Sequence, residues 1–565
     1  MGAGSFGTVT SADLTDEPVA RQQAADWYRS AVTYQLYIRS FADSDGDGLG
    51  DIGGIRSRLP YLASLGVDAI WINPWYPSPQ ADAGYDVADY RNIHAPFGDL
   101  QQARALIEEA HAAGLKVLLD VVPNHTSDEH PWFTAALASP PGSPERDRFV
   151  FRPGSGPDGD EPPNDWQSVF GGPAWHRVEG GEWYLHLFDV KQPDLNWDNP
   201  EVRAEFESVL RFWFDLGADG FRIDVAHGLI KDPALPSLNL SQQQILARVK
   251  VPDHPYWDRP GVLDVWQEWR AVGDSYDPPK VFVAEAWVES SARLAEYLRP
   301  ERLHTAFDFE LMRARWHAKE LRETARISLE AHDSVGAPVM WTLSNHDVTR
   351  HVTRLGRPQQ RTSGSNAPEF PQGETDVALG TRRARAAILY ALALPGGVYL
   401  YQGEELGLPE VEDLPEEVLQ DPTWERSGHT ERGRDGCRVP LPWQRGGPSL
   451  GFGDALGWLP QPASWGELSV EAQEGDPGSM LALYREALRL RRELPQLGHD
   501  GGPLVWTGEE DQVLGLARGN GFVCVLNTGA VAVPLPPGRV VLSSSPLEGE
   551  LLPPDAAAWI LADQD

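Results

Sequence analysis

The sequence predicts an α/β protein built on a (β/α)8 (TIM) barrel, with a small domain inserted after the third strand and an antiparallel β domain at its C-terminal end. Three observations predict this. Eight short apolar runs recur with helical or inserted sequence between them, the rhythm of parallel strands joined by crossover helices. Between His125 and Lys191 about 65 residues carry Pro, Gly and Trp but no clear helical pattern, which marks an insertion. From about Pro495 the texture changes to short strands (VLGLAR, FVCVLN, RVVLSS) separated by Gly/Pro turns.

The elements follow in order. Tyr34 to Phe41 (YQLYIRSF) alternates and is rich in aromatic and branched residues, so it reads as the first strand. Directly behind it, DSDGDGLGDIGG spaces Asp43, Asp45, Asp47 and Asp51 at alternate positions, with Leu49 in the remaining one. Oxygen ligands at that spacing on a Gly-rich loop suit a hard cation such as Ca²⁺. Gly54 stands where an EF-hand needs Glu, so a structural metal loop is expected rather than a calcium sensor. Val67 to Pro74 is nearly continuous in apolar residues, as a strand covered on both faces should be. Asp99 caps a helix to Ala113, with Ala103, Leu106, Ile107 and Ala110 on one face and Gly114 as terminator. Lys116 to Val122 is the third strand. Asn199-Pro200 then opens a helix through Phe206, Leu210 and Trp213, which leads to GADGFRIDVA at Gly217–Ala226. Val281–Trp287, Thr305–Phe309, Pro338–Asp347 and Gly397–Glu405 complete the eight. The expected division is a loose leader at 1–26, the barrel at 27–125 and 190–494, the inserted domain at 126–189, and a β-sandwich at 495–565.

Composition narrows the function. A net charge of −35 disfavours nucleic acid and anionic membranes, which reward a basic face, and leaves a neutral small-molecule substrate as the better fit. No run approaches the roughly 20 apolar residues of a membrane span, and the N-terminus lacks the basic and apolar regions of a secretory signal. Cys437 and Cys524 lie far apart and read as reduced thiols, so a cytoplasmic location is expected. No Cys/His zinc spacing occurs, no organic cofactor is expected, and a monomer or weak homo-oligomer suffices.

The strand ends carry the chemistry. Asp120, Asn124 and His125 end the third run, Arg222 and Asp224 the fourth, Glu285 the fifth, His346 and Asp347 the seventh, and Glu404 the eighth. Buried carboxylates cost several kcal/mol unless paired, so packing does not explain that many. Arg222 and Asp224 share one side of their strand, and the guanidinium should hold Asp224 ionised and nucleophilic. Glu285, between Ala284 and Ala286, should have the raised pKa. Paired carboxylates of unlike pKa, with no thiol or metal cluster beside them, point to glycoside hydrolysis. The 21 Trp and 15 Tyr add stacking faces for sugar rings, although most should be core.

DVVPNH, QPDLNW, GFRIDVA, AEAW and SNHD, in this order, resemble the conserved blocks of glycoside hydrolase family 13, the α-amylase superfamily. DSDGDGLGDIGG, GYDVADY and GRDGCRVPLPW narrow the resemblance to its α-glucosidase and oligo-1,6-glucosidase branch. The resemblance implies a retaining, exo-acting enzyme with Asp224 as nucleophile, Glu285 as acid/base and Asp347 as the carboxylate that stabilises the transition state. It implies His125, Arg222 and His346 around the first sugar, Tyr85 as stacking platform, and Asp86 with Arg438 at the non-reducing end. It also implies Ca²⁺ or Mg²⁺ on Asp43, Asp45, Asp47, the Leu49 carbonyl and Asp51. The reaction expected is removal of terminal glucose from short α-1,4- or α-1,6-glucosides such as maltose, isomaltose or sucrose, through a covalent intermediate between carboxyl groups about 5–5.5 Å apart. Glucosyltransferases and isomerases of the trehalose synthase or sucrose isomerase type share the triad and form the alternative. Val225 resembles the α-1,6-cleaving members, whereas Ala226-His227-Gly228 departs from their usual continuation.

Overall fold

In the computed structural model, which describes residues 25–240, 251, 253–359, 370–507 and 511–562, the chain begins with strands β1 (Val32–Leu36), β2 (Ala69–Ile72) and β3 (Lys116–Val121). After β3 comes a three-stranded antiparallel sheet of β4 (Phe151–Pro153), β5 (Trp175–Arg177) and β6 (Glu182–Leu185), with β6 central. Strands β7 (Gly220–Ile223), β8 (Val281–Ala284), β9 (Thr305–Asp308), β10 (Met340–Thr342) and β11 (Gly397–Tyr401) then continue the barrel, and β11 pairs with β1 to close it. The eight barrel strands are parallel, as the sequence predicts, and each is buried along nearly its whole length, which is why they read as apolar runs rather than alternating ones. Most of the leader expected at 1–26 lies outside the described residues.

The C-terminal strands are β12 (Leu504–Thr507), β13 (Val513–Arg518), β14 (Phe522–Asn527), β15 (Val533–Pro534), β16 (Arg539–Ser543), β17 (Leu551–Leu552) and β18 (Ala556–Leu561). Five form an antiparallel sheet in the order β12-β13-β14-β18-β16, and β15 pairs with β17. Val533 and Leu552 of that pair cluster with Val525, Ala558 and Ile560 on the sheet. Trp559 of β18 is fully buried, and its indole N–H donates to the Leu389 carbonyl (3.0 Å) in the helix Val377–Ala393 before β11. The sheet is thereby fastened to the barrel wall.

Local chemistry explains the crossover helices. Asp99 accepts from the Gln102 N–H while the Gln102 side chain caps Asp99 in return, so the helix Leu100–Ala112 starts where a full capping box allows. Asn199 caps the helix Pro200–Leu216 by accepting from the Glu201 N–H (2.8 Å), and Gly217 ends it at φ 122°, against Ile107 of the neighbouring helix. Several strand predictions need correction, and the fifth and eighth stop at Ala284 and Tyr401 rather than Trp287 and Glu405. The first strand spans Val32–Leu36 rather than Tyr34–Phe41, because from Tyr37 the backbone leaves the ladder. There the Tyr37 N–H donates to the Gln402 side chain (2.8 Å), and Ile38–Ser40 coils into a 3-10 turn. The seventh stops at Thr342, so Ser344–Asp347 forms a loop beyond the strand instead of its end.

Asp219 secures the opposite end of β7. One carboxylate oxygen accepts from the Val117 N–H (2.9 Å) and His111 Nε2 (2.6 Å), and the other from Lys116 Nζ (3.0 Å). Burial alone would raise its pKa, but these partners hold it below the usual aspartate range. A depressed carboxylate pKa adds stability that is complete above the unfolded-state pKa and is lost as pH falls through the folded value. Asp219→Asn is therefore expected to lower the melting temperature at pH 7, at a cost of about 1–3 kcal/mol. The gap from the parent should narrow below about pH 4, which thermal melts across pH 3–8 would read.

Candidate active site

The barrel register builds the centre. Asp120 on β3 and Arg222 on β7 are direct partners across the parallel ladder, so both side chains enter the same layer of the barrel interior. The Arg222 guanidinium reaches Asp120 (2.8 Å), Asp224 (2.8 Å) and Glu285 (2.5 Å), and all four residues are buried. It lies between the rings of Trp71 and Tyr85, whose centroids are 5.1 and 5.6 Å from its carbon. Asp120 also accepts from Tyr85 Oη (3.0 Å) and Trp71 Nε1 (3.2 Å), and Glu285 accepts from Trp287 Nε1 (3.0 Å).

The segment after Asp224 is strained. Val225, a β-branched residue, sits at φ 46°, a conformation that L side chains rarely adopt. It is held there because the Ala226 N–H donates to the Glu285 carbonyl (2.8 Å) and the Gly228 N–H to the Val225 carbonyl (2.9 Å). The two carboxylates are thus linked through backbone as well as through Arg222.

A second cluster faces the first. Asp347 accepts from Arg434 (3.0 Å) and Arg438 (3.1 Å), and lies 3.3 Å from His346 Nε2. Arg434 extends on to Asp82 (2.8 Å) and also pairs with Asp421. His346 stacks on Tyr85 with centroids 5.3 Å apart and planes 9° apart, and its Nδ1 meets the Gln35 amide (2.7 Å). Gln192 donates to Asp82 (3.1 Å) and lies 3.0 Å from His125 Nε2, joining the domain after β3 to this wall.

Electrostatics divide the two clusters. Asp347 is held well below the usual carboxylate range: burial opposes this, and His346, Arg434 and Arg438 together outweigh it. Burial pushes Asp120 up to about 7 and Asp224 well above its ordinary value, against the pull of Arg222. The expectation that Arg222 keeps Asp224 at a low pKa is therefore corrected. One guanidinium serves three carboxylates, so its pull on Asp224 is divided and burial outweighs it. Burial lowers His125 to about 4 and His346 well below its usual value, leaving both imidazoles neutral.

Asp224, Glu285, Asp347, Tyr85, His125, Arg222, His346 and Arg438 all meet in this region. Asp86 does not reach it: its oxygens accept from Ser78 Oγ (2.9 Å) and the N–H groups of Ala81 (2.8 Å) and Asp82 (3.0 Å), and it is wholly buried in the loop. Asp82 occupies the position expected of Asp86. Arg434 makes the wider bridge expected of Arg438, which instead braces Asp347 and the His346 carbonyl (2.9 Å). Arg434 lies inside GRDGCRVPLPW and Asp82 two residues ahead of GYDVADY, but spacing alone does not say which of two nearby charges points inward. Of the five expected metal ligands, the oxygens of Asp43, Asp45 and Asp51 lie within 4.8 Å of one another. Asp47 stands apart with an oxygen accepting from the Leu49 N–H (2.8 Å). Parts of the Arg357–Gly380 and Gly228–Arg259 loops lie outside the described residues.

Comparison with known proteins agrees with this arrangement. The family described as "Alpha amylase, catalytic domain" matches residues 35–500. A probable α-glucosidase of Rhizobium meliloti (strain 1021) is 38% identical over 550 residues, covering 93% of each chain. An oligo-1,6-glucosidase of Parageobacillus thermoglucosidasius is 36% identical over 499 residues, covering 83% of this chain and 84% of its own. Among solved structures, an α-glucosyl transfer enzyme, XgtA, superposes with a TM-score of 0.81 at 35% identity, covering 95% of this chain and 99% of its own. The trehalulose synthase MutB of Pseudomonas mesoacidophila MX-45 does so at 0.81 and 29%, again over 95% and 99%. The described residues contain no helix long and apolar enough to cross a membrane. With a closed eight-stranded barrel, carboxylates gathered at the C-terminal ends of its strands, and a family match over most of its length, the chain belongs to the α-amylase family, glycoside hydrolase family 13.

Proposed function

We propose that the protein is an exo-acting, retaining α-glucosidase that removes terminal non-reducing glucose from short α-1,4- or α-1,6-linked glucosides. The observation that carries this reading is the Arg222 fork, which holds Asp224 and Glu285 on the same guanidinium, opposite an ionised Asp347. Asp224 attacks the anomeric carbon as the glycosidic bond breaks and Glu285 gives its proton to the departing oxygen. Water then attacks the same carbon while Glu285 removes a proton from the water, and Asp224 leaves with configuration retained. Asp347 is poised to accept hydrogen bonds from sugar hydroxyls, and Tyr85 with His346 offers a stacked face. The bridge from Asp347 through Arg434 to Asp82 and Asp421 supports exo action, as a wall that would meet the non-reducing end of the sugar. The likeness to a glucosyl transfer enzyme and a trehalulose synthase favours a second reading, in which a sugar replaces water as acceptor.

Asp43, Asp45 and Asp51 suit Ca²⁺ or Mg²⁺: three carboxylates converge, and no Lys or Arg pairs with them among the described residues. Such an ion would be structural, since Asp51 also caps the helix Ile52–Leu65 through the Gly54 N–H (2.6 Å). Both cysteines are free and buried, which suits a reducing, cytoplasmic setting.

Incubation with maltose, isomaltose, sucrose and trehalose should release α-glucose from at least one of them. Asp224→Asn should lower that rate by roughly three orders of magnitude or more. A rearranged disaccharide with little free glucose would establish the second reading. Arg434→Lys and Asp82→Asn should each raise KM about 10–100-fold, the size of a lost charge-assisted contact. Asp86→Asn should act mainly on the melting temperature, and steady-state kinetics beside thermal melts would separate the two effects. Chelation by EDTA should lower the melting temperature, with recovery on adding Ca²⁺ or Mg²⁺, while an Asp45→Asn variant should respond less.

A further inference from the structure

His227, three residues beyond Asp224, has no part in the chemistry above. It is 7% exposed, yet among the described residues neither ring nitrogen has a hydrogen-bond partner, and Nδ1 is fully enclosed. A buried imidazole normally finds a partner, because leaving it bare costs free energy. Here the surroundings are aromatic. Its ring stacks on Trp257 with centroids 4.9 Å and planes 29° apart. Trp257 meets Phe188 edge-on at 6.4 Å, and Phe188 lies 5.0 Å from His125 in the first-sugar wall. The shelf therefore runs unbroken from that wall to His227.

Backbone contacts fix its direction. His227 lies in the turn that Ala226 fastens to the Glu285 carbonyl, and its own carbonyl accepts from the Asp258 N–H (2.7 Å). Gly228 leaves no room to reorient, since a Cβ there would meet Val225 and Trp257 at 2.7 and 2.8 Å. His227 thus follows directly on the residue tied to Glu285, the carboxyl that would meet the departing group. Burial lowers His227 to about 4, so at neutral pH the shelf presents an uncharged imidazole and aromatic faces, suited to a neutral sugar.

We propose that His227, held flat against Trp257, is a specificity-determining contact. Its free ring nitrogen Nε2 hydrogen-bonds a hydroxyl of the departing sugar, and of an acceptor sugar when one replaces water. This rests on the glucosidase reading of the same site. The test compares disaccharides with α-glucosyl fluoride, whose leaving group has no hydroxyl to bind. His227→Phe keeps the stacked ring and removes the nitrogens, whereas His227→Gln keeps a hydrogen-bonding group. For His227→Phe, the ratio of kcat/KM on the best disaccharide to that on the fluoride should fall about tenfold, the size of one neutral hydrogen bond. The ratio of transfer product to free glucose at a fixed maltose concentration should fall with it, and His227→Gln should restore most of both. Because both substrates meet the same preparation, these ratios are insensitive to the folded fraction. Ratios in His227→Phe equal to those of the parent would overturn the proposal. Failure of the parent to hydrolyse the fluoride would overturn the glucosidase reading instead.

Discussion

Three carboxylates reach one guanidinium at Arg222, and that mismatch of charge organises what surrounds it. The guanidinium is enclosed between Trp71 and Tyr85, away from bulk solvent, so its attraction for Asp120, Asp224 and Glu285 is only weakly screened. It is still outnumbered. Breaking a buried ion pair costs about 3–5 kcal/mol because a charge is left without its partner, and here three partners would be stranded together. The strands that carry these groups are accordingly tied by register: Asp120 opposes Arg222 across one ladder, and Arg222 opposes Val283, two residues before Glu285, across the next. The fold holds the carboxylates closer than their charges alone would allow.

An excess of negative charge has a chemical use. The transition state of glycoside cleavage develops positive charge on the sugar ring, and preorganised carboxylates stabilise it without moving. On the proposed reading Asp347 serves this from the other side, held ionised by two arginines. The rise at Asp224 reflects the same shortage of positive charge: burial pushes its carboxyl up, and Arg222 is shared with Asp120 and Glu285.

Much of this was legible from residue patterns. Buried parallel strands show as apolar runs, and charges placed just beyond them show as anomalies, so Asp120, Arg222, Asp224, Glu285 and Asp347 could be singled out. The Asp99 cap and the helix start at Asn199-Pro200 were readable because they are local. What could not be read depends on long-range geometry. Tyr37 to Phe41 look like strand, yet Gln402, from the far side of the barrel closure, takes the Tyr37 N–H and ends the ladder. Asp86 and Arg438 sit within four residues of Asp82 and Arg434, and only the turn at Ala81–Tyr85 decides which carboxylate faces inward. The pKa of Asp224 was misjudged because a two-residue pattern shows one partner for Arg222 and hides the other two.

The loop after β7 shows how the same catalytic groups can serve different acceptors. Its strained Val225 and its backbone bond to Glu285 belong to the chemistry, and they leave little freedom there. Beyond Gly228 the constraint passes to Lys231, whose ammonium is buried and bonds Asp194 (2.7 Å), Asn124 (2.9 Å) and the Gly228 carbonyl (2.9 Å). One lysine thereby joins the loop after Asp224 to the end of β3 and to the segment that returns from the inserted domain. Between these two fixed points Ala226 is packed into the core, and His227 is the side chain laid against Trp257 of the aromatic shelf. Changes in acceptor preference that spare the catalytic machinery should therefore concentrate in that short interval, and in the aromatic residues of the inserted domain that face it.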